Sequence, residues 1–300
     1  MPNLAARRIM LALLLTALAG CSEVDRARLW ARYGDADAQL SLAERYATGE
    51  GVEADLSEAA RWYEEAAEQG RPEAVLALAR LYSAGGTGLE PDAERALEWT
   101  HRAAELGDET AQLELAHRYV EGDGVAKDAG KAAKYYRPLA EAGLVDAQFA
   151  LGRLLAQGRG LLIDLGEAAR WYELAAEQGH ADAQNHLGFL YMSDVGPPRD
   201  FAVAAGWFEQ AASQGQAQAQ LNLAILYGRG LGVEKNQEQS DEWLLRSADG
   251  GLAEAQFQLA RAQRESDGAA TADALEWMRK AGTQDHGPAA LQLAQWYESG

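Results

Sequence analysis

His101, His117, His180, His186 and His286 are the side chains of this 300-residue sequence best suited to bind a metal or move a proton. No two stand four apart, the spacing that would put a zinc-binding pair on one helix face, and His-Glu-x-x-His is absent. His180 and His186 are separated by a loop and a helix start, which suits exposed side chains better than ligands. No Gly-x-Ser-x-Gly is present to present a nucleophilic serine, and Gly122-Asp-Gly124-Val lacks the lysine of a phosphate cradle. Acid pairs such as Glu64-Glu65 read as parts of a solvated helix face. Cys21 is the single cysteine, so no internal disulfide can form. These residues predict no enzyme activity, no cofactor and no metal. Recognition is left as the work of the side chains.

What positions them is a repeat. The step Ala38–Leu42 recurs as Ala74–Leu78, Ala111–Leu115, Ala147–Leu151, Ala183–Leu187, Ala219–Leu223, Ala255–Leu259 and Ala289–Leu293. Successive alanines are 36, 37, 36, 36, 36, 36 and 34 residues apart. A period of this size, held through most of the chain, means stacked units that cannot bury their apolar faces alone.

In the first unit Ala38, Leu42 and Tyr46 make one helical stripe. The neighbouring position is always small: Ala43, Ala79, Ala116, Gly152, Gly188, Ala224, Ala260 and Ala294. This allows close approach of another helix. Gly49-Glu-Gly51-Val52 stops the helix, and Asp55 opens the next as a cap or as a charge at its positive end. Asp92, Asp128, Asp164, Asp200 and Asn236 recur there. The second helix carries Ala59, Ala60, Trp62, Tyr63, Ala66 and Ala67. Trp62 recurs as Trp99, Tyr135, Trp171, Trp207, Trp243 and Trp277, predicted to be core rings set against alanine pairs.

The pattern small-x-x-x-Leu-small-x-x-Tyr-x-x-Gly-x-Gly-Val-x-x-Asp-x-x-x-Ala-Ala-x-Trp-Tyr-x-x-Ala-Ala-x-x-Gly resembles the Sel1-like repeat, a relative of the tetratricopeptide repeat. The resemblance covers residues 34–300, with units near 35–70, 71–107, 108–143, 144–179, 180–215, 216–251 and 252–287 and a partial one at 288–300. It implies an all-α fold, an α-solenoid of about seven helix-turn-helix repeats in a right-handed superhelix, acting as an adaptor or scaffold through a concave groove. Cysteine-rich members have been linked to β-lactam binding or hydrolysis. This chain lacks those cysteines, so that activity does not carry over.

Three units depart from the pattern. The second has an extra residue in Gly85-Gly-Thr-Gly88. The fifth has Asp194 for a loop glycine and a stiff Pro197-Pro198. The seventh has Gln263 for the tyrosine and Arg264-Glu-Ser-Asp for the glycine loop, with Gly282 in its second helix. The sequence stops after one helix of an eighth unit, which reads either as a capping helix or as a sign that a C-terminal part is missing.

Family resemblance puts the first helix of each unit on the concave side, where Ser41, Glu44 and Thr48 lie opposite the buried stripe. A candidate binding row follows: Glu44, Arg80, Glu114, His117, Arg153, His186, Asn222 and Arg261. These residues vary in charge while the packing positions repeat.

At the N-terminus Arg7 and Arg8 precede the apolar run Ile9–Leu18, too short to span a bilayer and typical of a secretory signal. Leu18-Ala19-Gly20-Cys21 resembles the lipobox of bacterial lipoproteins, which implies a signal peptide over 1–20 and lipidation of Cys21. Ser22 after the cysteine is similar to outer-membrane lipoproteins of Gram-negative bacteria. Several acyl chains on one residue give stable anchoring. Residues 21–33 then read as anchor and N-terminal capping helix, with Leu29, Trp30 and Tyr33 as its apolar side chains. Loss of the signal takes the formal charge from −19 to about −21, which argues against nucleic acid and against an electrostatic grip on anionic lipid.

The leading expectation is a non-catalytic scaffold facing the periplasm, with protein partners in the cell envelope and membrane attachment through lipid. Similar lipoproteins support exopolysaccharide secretion. The alternatives are a regulator that sequesters a sensor domain or a cell-wall enzyme, and a hydrolase of cell-wall or β-lactam substrates.

Overall fold

The computed structural model describes residues 22–158, 162–267 and 271–299. The expected signal peptide and Cys21 lie outside them. The described residues form sixteen α-helices and, besides these, one isolated bridge between Gly86 and Leu89. Helix α1 (Glu23–Arg32) is followed by seven pairs: α2 (Ala36–Thr48) and α3 (Leu56–Glu68), α4 (Pro72–Ala84) and α5 (Ala93–Glu105), α6 (Glu109–Glu121) and α7 (Ala129–Glu141), α8 (Val145–Gln157) and α9 (Leu165–Glu177), α10 (Ala181–Met192) and α11 (Phe201–Ser213), α12 (Ala217–Arg229) and α13 (Gln237–Asp249), and α14 (Ala253–Asp267) and α15 (Ala272–Gly282). Helix α16 (Gly287–Ser299) is last. Two compact units divide between Asp128 and Ala129, so that α1–α6 belong to the first and α7–α16 to the second. Each is an α-solenoid in which every helix packs on the next.

The helix limits follow from capping chemistry. Asp55, Asp92, Asp164, Asp200 and Asn236 each accept first-turn backbone N–H groups at 2.7–3.1 Å, satisfying donors that have no partner inside the helix. Gly49, Gly122, Gly158 and Gly230 end first helices in the left-handed conformation. Where the seventh unit lacks this glycine, α14 runs on to Asp267 and is 15 residues long, against 13 for most others. The extra residue of the second unit also has a structural use. The Thr87 carbonyl accepts from the Leu56 N–H at 2.9 Å, a bond from one repeat's loop to the preceding repeat's helix start.

The anchor leucines from Leu42 to Leu223 are buried, as their spacing predicts. The small residue beside them is needed where an aromatic ring comes close. A Cβ on Gly152 would lie 2.9 Å from the Tyr172 ring, and one on Gly188 would lie 2.8 Å from Phe208.

The tryptophan expectation needs correction. Trp62 and Tyr135 are buried, but Trp99, Trp171, Trp207, Trp243 and Trp277 are only half-buried. The buried side chain is the next one: Tyr63, Thr100, Tyr136, Tyr172, Phe208 and Met278. One residue is about 100° of helix, which turns the tryptophan toward the flank of the stripe. There its face meets cations, with Arg61 4.5 Å from Trp62, Arg102 5.1 Å from Trp99, Arg246 4.6 Å from Trp243 and Lys280 4.2 Å from Trp277. Helix α1 forms where expected, but Val24 and Ala31 are its buried residues, and Tyr33 is exposed.

Candidate functional site

Counting from each anchor alanine separates the candidate row into two registers. Glu44, Arg80, His117, Arg153 and Arg261 stand six residues after it, whereas Glu114, His186 and Asn222 stand three after it. The two registers have different surroundings.

In the first unit the structure gathers three candidates. Arg80 and Glu114 line a shallow cleft with Arg118, over Ala79, Ala96 and Thr100. Glu114 accepts from Arg118 in an ion pair of 2.8 Å, and His117 borders a second cleft beside the same pair. Glu44 stands apart and exposed on α2. Burial, and after it the Glu44 charge, pushes the Tyr63 phenol up to about 12.

In the second unit Arg153 and His186 come together around an aromatic cluster. Arg153 lies 6.0 Å from the Phe149 ring, and His186 sits 5.3 Å from both Phe149 and Tyr172. The His186 Nδ1–H donates to the Asp182 carbonyl at 2.8 Å. The Tyr172 hydroxyl is buried without a hydrogen-bond partner. Burial raises its pKa, and Arg153 opposes that shift. Arg261 is exposed on α14, ion-paired with Glu265 at 3.3 Å and 5.8 Å from the Phe257 ring.

Asn222 does not belong to an exposed row. It is buried, donates to Asn185 Oδ1 at 3.1 Å and accepts from Gln218 at 3.3 Å. An amide three positions after the anchor turns toward the adjacent first helix and ties α10 to α12. Its charge-free polarity is used inside the array.

Two residues of the six-after register were missed by the sequence reading because they are apolar. Phe189 is 55% exposed on α10, and Ile225 is half-buried on α12, packed against the cluster of Leu221, Ala248, Ala255 and Leu259. Strict counting from Ala183 and Ala219 finds both.

Two of the histidines serve as structure. His180 and His286 each accept a first-turn N–H through Nδ1 at 3.2 Å, capping α10 and the start of α16. Their Nε2 atoms face Asp146 at 3.8 Å and Glu254 at 2.9 Å in the preceding repeat. Among the described residues no group of three His, Cys, Asp or Glu is placed to hold a metal ion, and no helix is long and apolar enough to cross a membrane.

Comparison with known proteins places these repeats. The Sel1 repeat pattern matches at 36–70, 72–108, 110–144, 145–180, 181–216, 217–252 and 253–286. No curated protein matches. Among solved structures, a protective antigen of uropathogenic Escherichia coli displaying an SLR fold is similar at 34% identity over 93% of this chain, with a TM-score of 0.63. This chain spans 60% of that protein's length. A Sel1 repeat protein from Oxalobacter formigenes is similar at 31% identity, with 91% of this chain and 79% of the other covered and a TM-score of 0.60.

Proposed function

Because this chain belongs to the Sel1 repeat family, whose members are protein-interaction scaffolds, we propose that it is a lipid-anchored scaffold that docks protein partners along its first-helix face. The observation that carries this reading is the register six residues after the anchor alanine. Its side chains are exposed or half-exposed and change from Glu44 to Arg80, His117, Arg153, Phe189, Ile225 and Arg261 over a core that repeats. Variation at an exposed position over an invariant packing pattern lets specificity differ from repeat to repeat at little cost in folding. The reading is non-catalytic because the repeats are those of a protein-interaction family.

The lipobox-like Leu18-Ala19-Gly20-Cys21 supports attachment through Cys21, and Ser22 supports the outer membrane, facing the periplasm. In that place the scaffold would hold together an envelope assembly, of which an exopolysaccharide-secretion complex is the example the sequence resemblance suggests. Fractionation of a Cys21→Ala variant tests the anchor: the protein is expected folded and soluble in the periplasm. Recovery of the variant in the outer membrane would remove lipidation as the attachment. Site-specific cross-linking from position 80 or 189 tests the face. Adducts formed only from second-helix positions such as 245 would move recognition off it.

A further inference from the structure

The first-helix face of the second unit has a chemical order of its own. The four residues of the six-after register are Arg153 on α8, Phe189 on α10, Ile225 on α12 and Arg261 on α14, each 36 residues from the next. The helices stand side by side. His180 of α10's cap faces Asp146 of α8, Asn222 of α12 bonds Asn185 of α10, and Ile225 of α12 packs against the core cluster to which α14 contributes Ala255 and Leu259. The outer two helices share one arrangement, an arginine laid near a phenylalanine one turn earlier, Phe149 on α8 and Phe257 on α14. The inner two instead hold out carbon, and Phe189 is 55% exposed where a charged residue would satisfy water better. Arg153 forms no ion pair among the described residues, and Arg261 has only the exposed contact to Glu265. Two cations thus bracket two apolar side chains on a protein whose formal charge is −19.

We propose that this face binds an extended segment of a partner protein in which two apolar side chains, three residues apart, are flanked at the same spacing by carboxylates. The spacing is geometric. Packed helices lie about 8–10 Å apart, and a chain in the extended polyproline II conformation rises about 3.1 Å per residue with three residues per turn, so about three residues reach the next helix and return a side chain to the same side. The charge pattern selects acids at the ends, because carboxylates meet guanidinium groups there and lysines would meet like charge. A second copy of this chain is disfavoured as occupant by its own strong negative charge. The proposal rests on the first-helix face being the docking surface and adds the chemistry of what docks.

The test is selection of displayed random decapeptides on the full chain carrying Cys21→Ala, followed by anisotropy with a fluorescent synthetic copy of the peptide most enriched. The expected peptide reads acid-x-x-apolar-x-x-apolar-x-x-acid. Its affinity should fall at least tenfold with Arg153→Glu, with Arg261→Glu, with Phe189→Ser, and when its acids become amides, and it should weaken with added salt. Binding lost with Phe189→Ser but indifferent to both arginine reversals overturns the acidic partner while leaving the face in place. Binding indifferent to all three and lost with Val195→Ser or Leu245→Ser overturns the face as well. Enrichment of no peptide above an unrelated control protein overturns the proposal. So does self-association in sedimentation that Phe189→Ser abolishes, since the occupant is then a second copy. The arginine variants keep the test decisive if Phe189→Ser fails to fold.

Discussion

The Gln178 side-chain amide donates to Oε1 of Gln148 at 2.8 Å across thirty residues of sequence, and Gln148 itself donates to the Ala140 carbonyl at 3.1 Å. Gln148 is buried, one residue after an anchor alanine. Its amide joins three helix ends: the carbonyl end of α7, the first turn of α8 and the residue that closes α9. Gln39, Gln184 and Gln256 repeat the arrangement with Gln69, Gln214 and Gln284. Each satisfies a carbonyl that the helix end leaves open.

Removing one member strands the others. Gln148→Leu should cost about 1–3 kcal/mol, the penalty of buried polar groups left unpaired, while Gln148→Val with Gln178→Leu should cost less than the single change. The second repeat already has the double form, Val75 with Leu106. Urea denaturation measures both, and a double mutant weaker than the single would remove the staple as the explanation. Gln220 shows the defect naturally: Gly250 stands where a glutamine closes other repeats, and the Gln220 Oε1 is buried without a partner.

Burial predicts opposite outcomes for two adjacent rings. Tyr172→Ala should cost about 3–5 kcal/mol, as the loss of a fully buried aromatic side chain does. Trp171→Ala should cost less, since that ring is half-buried and its Nε1–H donates to Glu167 at 3.2 Å. Tyr172→Phe should be neutral or stabilising, because it deletes a buried hydroxyl that has no partner. Thermal melts of the three variants decide, and a Trp171→Ala loss exceeding that of Tyr172→Ala would contradict the assignment.

Loop glycines divide into those that need only a left-handed backbone and those that also need space. Gly251 has φ +88° and open surroundings, so Gly251→Ala should cost about 1–2 kcal/mol. Gly232 has φ +71°, and a Cβ there would lie 2.2 Å from the Phe201 carbonyl carbon. Gly232→Ala should therefore cost more and speed amide exchange at the start of α11. Equal losses for the two would mean that the loop does not pack on the preceding repeat.

Alkaline stability should report Tyr82. Its hydroxyl donates to Glu64 at 2.7 Å and accepts from Arg95 at 2.5 Å, and burial first, then Glu64, pushes the phenol from 10.0 up to about 12. A pKa raised on folding favours the protonated folded state. That contribution is complete below pH 10.0 and is lost as the pH rises through about 12. Tyr82→Phe should flatten the fall in denaturation free energy over that interval. An unchanged slope would show that the phenol is not held neutral.

Much of the architecture was legible because period and punctuation act locally. A small-x-x-x-Leu step every 36 residues fixes which stripe must be buried, and glycine and aspartate fix where helices stop and start through φ freedom and capping, both set within a few residues of chain. The candidate face was legible in part. Glu44, Arg80, Arg153 and Arg261 were found because charge at an exposed helical position stands out, whereas Phe189 and Ile225 were hidden because apolar residues at helical spacing read as core.

What only the tertiary structure decided depends on groups far apart in sequence. Trp171 and Tyr172 are neighbours of similar bulk, and which one is buried depends on the rotation of one helix against another. Asn222 and Arg153 are both polar residues of first helices, yet one ties α10 to α12 and the other reaches the surface, because a difference of three residues in register turns a side chain toward the adjacent repeat or away from it. Gln148 is buried because its carbonyl partner, Ala140, stands in the preceding repeat, which the sequence around Gln148 does not show. Local pattern sets the helices, and the packing between them sets what each side chain meets.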